Sequence, residues 1–453
     1  IYKKTKESSK QTCVLKIGTA KLEFPKADQQ HRMPGLHGKF YFPIKLTRFG
    51  KFSILHARNE EEYLQWMTHL SRMAIRTDLH SRFRMDKILG EGNFAMVYRA
   101  KPKEGRDSPK AIKGFSKESI CSQKHHEQLA LWNEICILRK LDHPNLLRLH
   151  EVHETENSIY IVFDIHTGGE LQQFIKKSQT ALVSEETVVT ILHGVAKGLK
   201  ELDHLKIAHR DLKPSNIMLR NNTNITPEDV VIVDFGLATE TCAATYLYKR
   251  CGTPGYIAPE IISTKNSEDD FKVTTKCDIF SLGVIGYTMI AGQNPFTIGC
   301  SSRDAIIQAN LECKLSFPED IFGKYSQEVL SLLNKLCSRR PEDRPNIDEV
   351  LSNPLFADKS KSHRSGQEAS SQDSGLPIAQ PPARIQCLRV PGFGPKLGSF
   401  RITPKSVFVP LPKQRPHAFN QYLPEDKPKS KFSLQTSTDS KDKTESSFTH
   451  IRL

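Results

Sequence analysis

Two short runs in the first third of the 453-residue chain carry residue types suited to handling a phosphate. The run Leu89-Gly90-Glu91-Gly92-Asn93-Phe94-Ala95-Met96-Val97 contains glycines, which let backbone N–H groups approach anionic oxygens closely. Such a run also suits an ordinary hairpin, and Ala95 stands where a third glycine would complete the pattern. Sixteen residues beyond Val97, Lys113 follows Ala111 and Ile112. A lysine among apolar strand residues needs a partner that neutralises it. The next helix offers one, because Leu131, Ile135 and Leu138 mark its buried face and Glu134 lies beside them. A Lys113–Glu134 pair would hold the ammonium against the α- and β-phosphates of a nucleotide. Taken alone, Glu134 reads equally well as one of several solvent-facing acids.

A later segment, His209-Arg210-Asp211-Leu212-Lys213-Pro214-Ser215-Asn216, is far more specific. Its five fixed letters would arise by chance in a chain this long with odds of roughly one in ten thousand. Asp234-Phe235-Gly236 stands eighteen residues past Asn216, behind the apolar run Val230 to Val233, and Ala258-Pro259-Glu260 follows. In this order and spacing the blocks are the signature set of protein kinases, and that context favours pairing for Glu134. Residues 85–356 therefore resemble a eukaryotic serine/threonine protein kinase domain. The resemblance implies an α+β bilobal fold with a β-rich N-lobe and a helical C-lobe. Arg250-Cys251-Gly252-Thr253-Pro254-Gly255-Tyr256 is similar to the calmodulin-dependent and cyclic-nucleotide-dependent kinase groups.

The resemblance implies roles residue by residue. Asp211 would orient a substrate hydroxyl and accept its proton, and Lys213 would neutralise charge on the γ-phosphate of ATP. Asn216 and Asp234 would offer hard oxygen ligands to magnesium. Lys113, held by Glu134, would grip the phosphates that are not transferred. Leu89, Val97, Ala111 and Met218 would enclose the adenine, with Gly90 and Gly92 in the loop over the phosphates. Backbone groups of the hinge Asp164-Ile165-His166, just after Phe163, would meet the adenine edge, and Glu170 would reach the ribose. Thr253 would brace Asp211 and favour Ser or Thr acceptors in protein substrates. Glu260 would pair with Arg344, Asp278 would brace the catalytic loop, and His209 and Phe235 would stack with Leu138 and Leu149.

Two positions depart from the usual pattern. Kinases with an arginine at the place of Arg210 often need an activation-segment phosphate to satisfy it. Lys249 stands where related kinases carry that phosphothreonine, so basal activity without an upstream kinase is expected, with Thr245, Tyr246 and Tyr248 nearby. Ser215 replaces the acid of many basic-directed kinases, which weakens any expectation of Arg-rich substrates.

These residues need a scaffold. Strands are expected from Phe83 to Lys101 and Lys110 to Phe115, then a helix, more strands to Ile165, and a longer helical half. Val188, Leu192, Val195, Leu199 and Leu202 form one buried helical stripe there. Ahead of the kinase block, VLKIGTAKLEF, KFYFPIKL and KFSILHA read as strands, and Asn59 with Glu62 reads as the cap of a helix. On that helix Tyr63, Trp66, Met67, Leu70 and Ala74 share a face. Strands closed by one amphipathic helix resemble the C-terminal part of a pleckstrin-homology domain, so residues 1–77 are expected to be a partial domain of that kind, preceding a linker at 78–84. This resemblance implies weak phosphoinositide or membrane-surface contact, although the earliest strands of such a domain are missing.

Residues 357–453 are rich in Ser, Pro, Lys and Gln and are expected to be disordered, with the apolar stretch Phe400 to Leu411 a candidate docking segment. Of the net charge of +14, this tail supplies +8, from 16 Lys and Arg against 8 Asp and Glu. The basic balance therefore reads as a solvated tail and not a nucleic-acid site. The ten scattered cysteines contain no CxxC pair and read as reduced thiols. No stretch has the ~20 apolar residues of a membrane-spanning helix. Ile1 to Lys10 is polar and lacks the apolar core of a signal peptide, so a cytoplasmic protein, peripheral at membranes at most, is expected. The absence of an initiator Met reads as a fragment or trimmed product. A non-catalytic kinase-like scaffold would have lost Lys113, Asp211 or Asp234, and all three are present. The other rival is an adaptor whose main role is lipid binding through residues 1–77.

Overall fold

A computed structural model of the chain describes residues 2–5, 8–11, 17–24, 42–57, 59–91, 95–105, 108–122, 126–178, 183–243, 246–263, 272–357, 385–386 and 399–400. Gly92 and Thr245, and all of Phe400 to Leu411 except Phe400, lie outside them.

Strands form where β-branched and aromatic residues alternate. In the N-terminal segment, after a hairpin of Tyr2–Thr5 with Ser8–Gln11, come β1 (Lys21–Glu23), β2 (Phe42–Arg48) and β3 (Lys51–Ala57), followed by helix α1 (Glu60–Met73) and the short strand β4 (Ile75–Arg76). The Asn59 side chain accepts the Glu62 N–H at 2.8 Å, so α1 starts where the sequence placed its cap. Its Trp66 and Leu70 are buried against Leu22, Ile44, Leu46 and Leu55 of the strands. Residues 78–84, expected as a linker, carry a helical turn at Leu79–Arg82, and Leu79 is fully buried beneath the next sheet.

That sheet comprises β5 (Phe83–Glu91), β6 (Ala95–Pro102), β7 (Lys110–Ser116), β8 (Leu149–Glu154) and β9 (Ser158–Asp164), in the order β5-β6-β7-β9-β8. β7 lies centrally, with Lys113 opposite Val97 on one side and Ile161 on the other. Helix α2 (His126–Leu138) packs on it through Leu131, Ile135 and Leu138. The sheet does not stop at β8. His153 of β8 pairs in parallel with Arg76 of β4, β4 pairs in parallel with β1, and the ladder continues antiparallel through β2 and β3. Of the tail, Ile385–Gln386 and Ser399–Phe400 form a short strand pair beyond β3.

The helical half is built on α3 (Glu185–His204), α4 (Lys276–Ala291) and α5 (Gln327–Leu336). Ser184 caps α3 by accepting the Thr187 N–H at 3.2 Å, and the stripe Val188, Leu192, Val195, Leu199, Leu202 is buried throughout. Gly194 lies on the same inner face. A Cβ there would sit 2.5 Å from the Pro227 carbonyl oxygen and 2.7 Å from Val230 Cβ. That clash outweighs the ~1 kcal/mol by which a helix prefers alanine. The close approach seats the strand Val230–Ile232, which leads directly to Asp234, on α3. α4 is buried from Cys277 to Ile290 and forms the centre of this half. No described helix is long and apolar enough to cross a membrane.

Candidate active site

The site forms where the ends of several short elements meet. Ile217–Leu219 pairs antiparallel with Val230–Ile232, which sets Asn216 and Asp234 at neighbouring strand ends. The Val233 N–H donates to the Asn216 carbonyl at 3.0 Å. Ile207–Ala208 pairs with Thr239–Glu240, so the loop from His209 to Asn216 is anchored at both ends.

Asp278, in the first turn of buried α4, supports this loop from below. Its carboxylate accepts the backbone N–H of His209 at 2.7 Å and of Arg210 at 2.9 Å. His209 Nε2 lies 3.0 Å from the Val233 carbonyl, and its ring meets the Phe235 ring edge-on at 5.0 Å. Leu138 and Leu149 belong to the same buried core. Arg210 and Asp234 both have left-handed backbones, with φ of 66° and 63°. Such strain persists only where its surroundings hold it in place.

Within this frame the Thr253 hydroxyl donates to Asp211 Oδ1 at 2.7 Å, and Lys213 Nζ lies 2.9 Å from Asp211 Oδ2 and 2.8 Å from Thr253 Oγ1. The Asn216 amide donates to the Asp211 carbonyl at 2.8 Å and to Oδ2 at 3.2 Å. These contacts fix the Asp211 side chain on every side but the one open to the cleft. They use the nitrogen of Asn216 and leave its Oδ1 without a protein partner among the described residues. Asp234 Oδ2 is likewise unused. Two unclaimed hard oxygens at adjacent strand ends fit magnesium, which shares its ligands with phosphate and water. No cluster of three or more His, Cys, Asp or Glu residues that could bind a metal unaided occurs among the described residues.

Lys113 Nζ reaches Glu134 Oε1 at 2.9 Å and Asp234 Oδ1 at 3.9 Å. Burial alone would pull the ammonium down, but Glu134 and Asp234 reverse this and raise it above its ordinary value. Lys113 is therefore a full cation at physiological pH. Asp234 shows the converse balance: burial pushes its carboxyl up, while Lys113 and His209 hold it below the ordinary value.

Of the residues expected around the adenine, Val97 and Met218 are buried, and Ala111 and Leu89 are half-buried. Gly90 is paired with Val97 in the β5–β6 hairpin. Glu170 is buried and pairs through its backbone with Met218. The side chain of Asp164 does not turn to the cleft: it is held by Lys110 at 2.9 Å and His150 at 2.7 Å. Burial pushes its carboxyl up, and these partners more than reverse that, leaving it well below the carboxylate range. Neither Lys110 nor His150 was singled out from the sequence, since neither belongs to a motif. Only the strand register, which sets Lys110 opposite Asp164, brings them together. His166 is mostly buried, and burial with the nearby Arg220 pulls its imidazole down to about 4, so it is neutral at physiological pH.

Arg210 settles on backbone oxygens. Its Nε donates to Leu237 at 2.9 Å and its guanidinium to Tyr248 at 2.5 Å. Glu260 and Arg344 form a two-pronged pair, with both contacts at 2.7 Å, joining the end of the activation segment to the helical half.

A sheet lobe and a helical lobe enclosing this constellation define a protein kinase. The chain belongs to the protein kinase domain family, which matches residues 83–356. It is 34% identical over 277 residues to "Probable serine/threonine-protein kinase fhkC" of Dictyostelium discoideum, covering 61% of this chain and 44% of that protein. It is 31% identical over 281 residues to "Serine/threonine-protein kinase DCLK2" of Rattus norvegicus, covering 62% of this chain and 34% of that protein. "Myosin light chain kinase A" of Dictyostelium discoideum is 30% identical over 278 residues, covering 61% of this chain and 89% of that protein. The chain thus spans less than half the length of the first two. Residues 83–356 are a serine/threonine protein kinase domain, whose reaction uses ATP and magnesium. When bound, magnesium neutralises the phosphate charge that develops during transfer.

The buried Lys113–Glu134 pair yields a direct expectation. Lys113→Met should reduce kcat at least ~10²-fold by removing a preorganised charge, while the circular dichroism spectrum keeps its native form. Steady-state assay of the full chain decides this, and unchanged turnover would place the phosphate grip elsewhere.

Proposed function

We propose that the whole chain is an active serine/threonine protein kinase that moves the γ-phosphate of ATP onto Ser or Thr hydroxyls of protein substrates. The observation that carries this reading is the joint placement of Lys113 on Glu134 and of Asp211 between Thr253 and Lys213. Asp211 orients the hydroxyl and takes its proton. Lys213 neutralises the γ-phosphate, Lys113 holds the α- and β-phosphates, and Asn216 with Asp234 receives the metal. Leu89, Val97, Ala111 and Met218 enclose the adenine, backbone groups of Asp164 to His166 meet its edge, Gly90 and Gly92 cover the phosphates, and Glu170 reaches the ribose. The Thr253 hydroxyl, spanning Asp211 and Lys213, supports Ser or Thr acceptors.

Within the family we place the domain near the calmodulin-dependent group. The segment Arg250 to Tyr256 and the similarity to a myosin light chain kinase support that placement. We read residues 1–77 as a partial pleckstrin-homology-like unit, 85–356 as the kinase and 357–453 as a basic tail. The three-strand meander closed by α1 over Trp66 supports the first of these. Weak contact of that unit with an anionic membrane surface is also proposed. The β2–β3 turn supports it, with Phe49 86% and Phe52 58% exposed and the Arg48 guanidinium 4.6 Å from the Phe49 ring.

Three measurements test the reading. Asp211→Ala should lower kcat on a Ser/Thr peptide library by ~10²–10⁴, the usual worth of a positioned base, and retained turnover would refute the assignment. Because Arg210 already donates to two backbone carbonyls, phosphatase-treated enzyme should keep its activity; complete loss would show that a phosphate is required. In flotation with phosphatidylserine and phosphoinositide vesicles, a small bound fraction should be lost when Phe49 and Phe52 are both changed to Ser; equal binding by the variant would remove the membrane proposal.

A further inference from the structure

The helix that carries Glu134 is held at its far end by a residue outside every kinase motif discussed above. Arg139 directly follows α2, and its backbone N–H donates to the Ile135 carbonyl at 3.0 Å, so it moves with that helix. Its side chain is 5% exposed and enters the N-terminal segment, where it meets three backbone oxygens. These belong to Gly18 at 2.9 Å, Arg72 at 3.2 Å and Ala74 at 3.4 Å. Two of them lie at the C-terminal end of α1, where unpaired carbonyls and the helix dipole attract a cation. No carboxylate pairs with Arg139 among the described residues, and burial pulls its guanidinium down to about 10.

A reciprocal contact runs the other way. Arg72, in the last turn of α1, donates to the Leu141 carbonyl just beyond α2 and lies 3.5 Å from Asp142. The β4–β8 pairing and the 2.7 Å Arg82–Glu151 bridge continue the same junction. An apolar side chain would fill the position of Arg139 at lower desolvation cost. The directional fork instead fixes where α2 ends relative to α1. Since α2 is a rigid rod of 13 residues, fixing its end fixes the reach of Glu134 toward Lys113.

Resting on the kinase reading, we propose that Arg139 is a positioning residue for phosphoryl transfer, through which α1 and the turn at Gly18 act as a built-in brace holding Glu134 on Lys113.

The test uses the full chain and compares the parent, Arg139→Met, Arg139→Lys and Arg72→Ala. With a Ser/Thr peptide library as substrate, Arg139→Met should lower kcat/KM for ATP by about 10- to 100-fold, the scale of a small misplacement. The loss should combine a higher KM for ATP with a lower kcat, leaving the peptide KM unmoved. Arg139→Lys, which keeps a cation among the carbonyls, should recover part of it. Simple loss of folded protein would lower kcat and leave both KM values alone, and that pattern overturns the proposal, as does unchanged ATP dependence.

Amide hydrogen exchange supplies a readout independent of turnover. Arg139→Met should speed exchange across 126–138 and 70–76 and leave 277–290 unchanged. Unchanged exchange in 126–138, or a uniform rise everywhere, overturns the brace. If the parent chain phosphorylates nothing, the kinase reading fails by itself and the exchange comparison still decides whether Arg139 holds α2. Should Arg139→Met fail to fold, Arg72→Ala carries both measurements, with changes of the same sign.

Discussion

A cation buried in a protein interior is costly unless an anion stands beside it. The Lys113–Glu134 pair meets that condition across two separate elements, a central strand and a helix. The pairing of β7 between β6 and β9 fixes the lysine, and the packing of α2 through Leu131, Ile135 and Leu138 fixes the glutamate. Asp234 then approaches the same ammonium from the other lobe. The two halves of the molecule meet electrostatically here, as they do at the 2.7 Å Lys140–Glu240 pair.

The residues that the structure gathers around Lys113 and Asp211 stand out in the sequence because phosphate handling, as proposed here, narrows the choice of side chain so sharply. A proton acceptor, two oxygen ligands and a phosphate-gripping cation would leave little freedom of type, and from Asp211 to Asp234 the short connections leave little freedom of spacing. The buried stripe of α3 and the Asn59 cap were legible for a different reason, since helical period and cap chemistry are local properties.

What escaped reading was non-local. Arg139 looks like a solvated residue at a helix end, and nothing around it announces three carbonyls contributed by residues more than sixty positions away. Lys110 and His150 carry no motif and find Asp164 only through strand register. Residues 78–84 read as a linker, yet β4 just before them extends the ladder and Leu79 among them is buried. Backbone pairing leaves little trace in a single sequence, so the continuity of the sheet across β4 was not foreseeable.

Asp278 ties the His209–Asn216 loop to the most deeply buried helix of the molecule, whereas Lys113 rides on the sheet of the other lobe. The two parts of the site therefore rest on different lobes. A hinge motion between the lobes would widen the gap from Lys113 to Asp234 and leave the arrangement of Asp211, Thr253 and Lys213 undisturbed. On the kinase reading proposed above, nucleotide exchange would then need no rearrangement around Asp211.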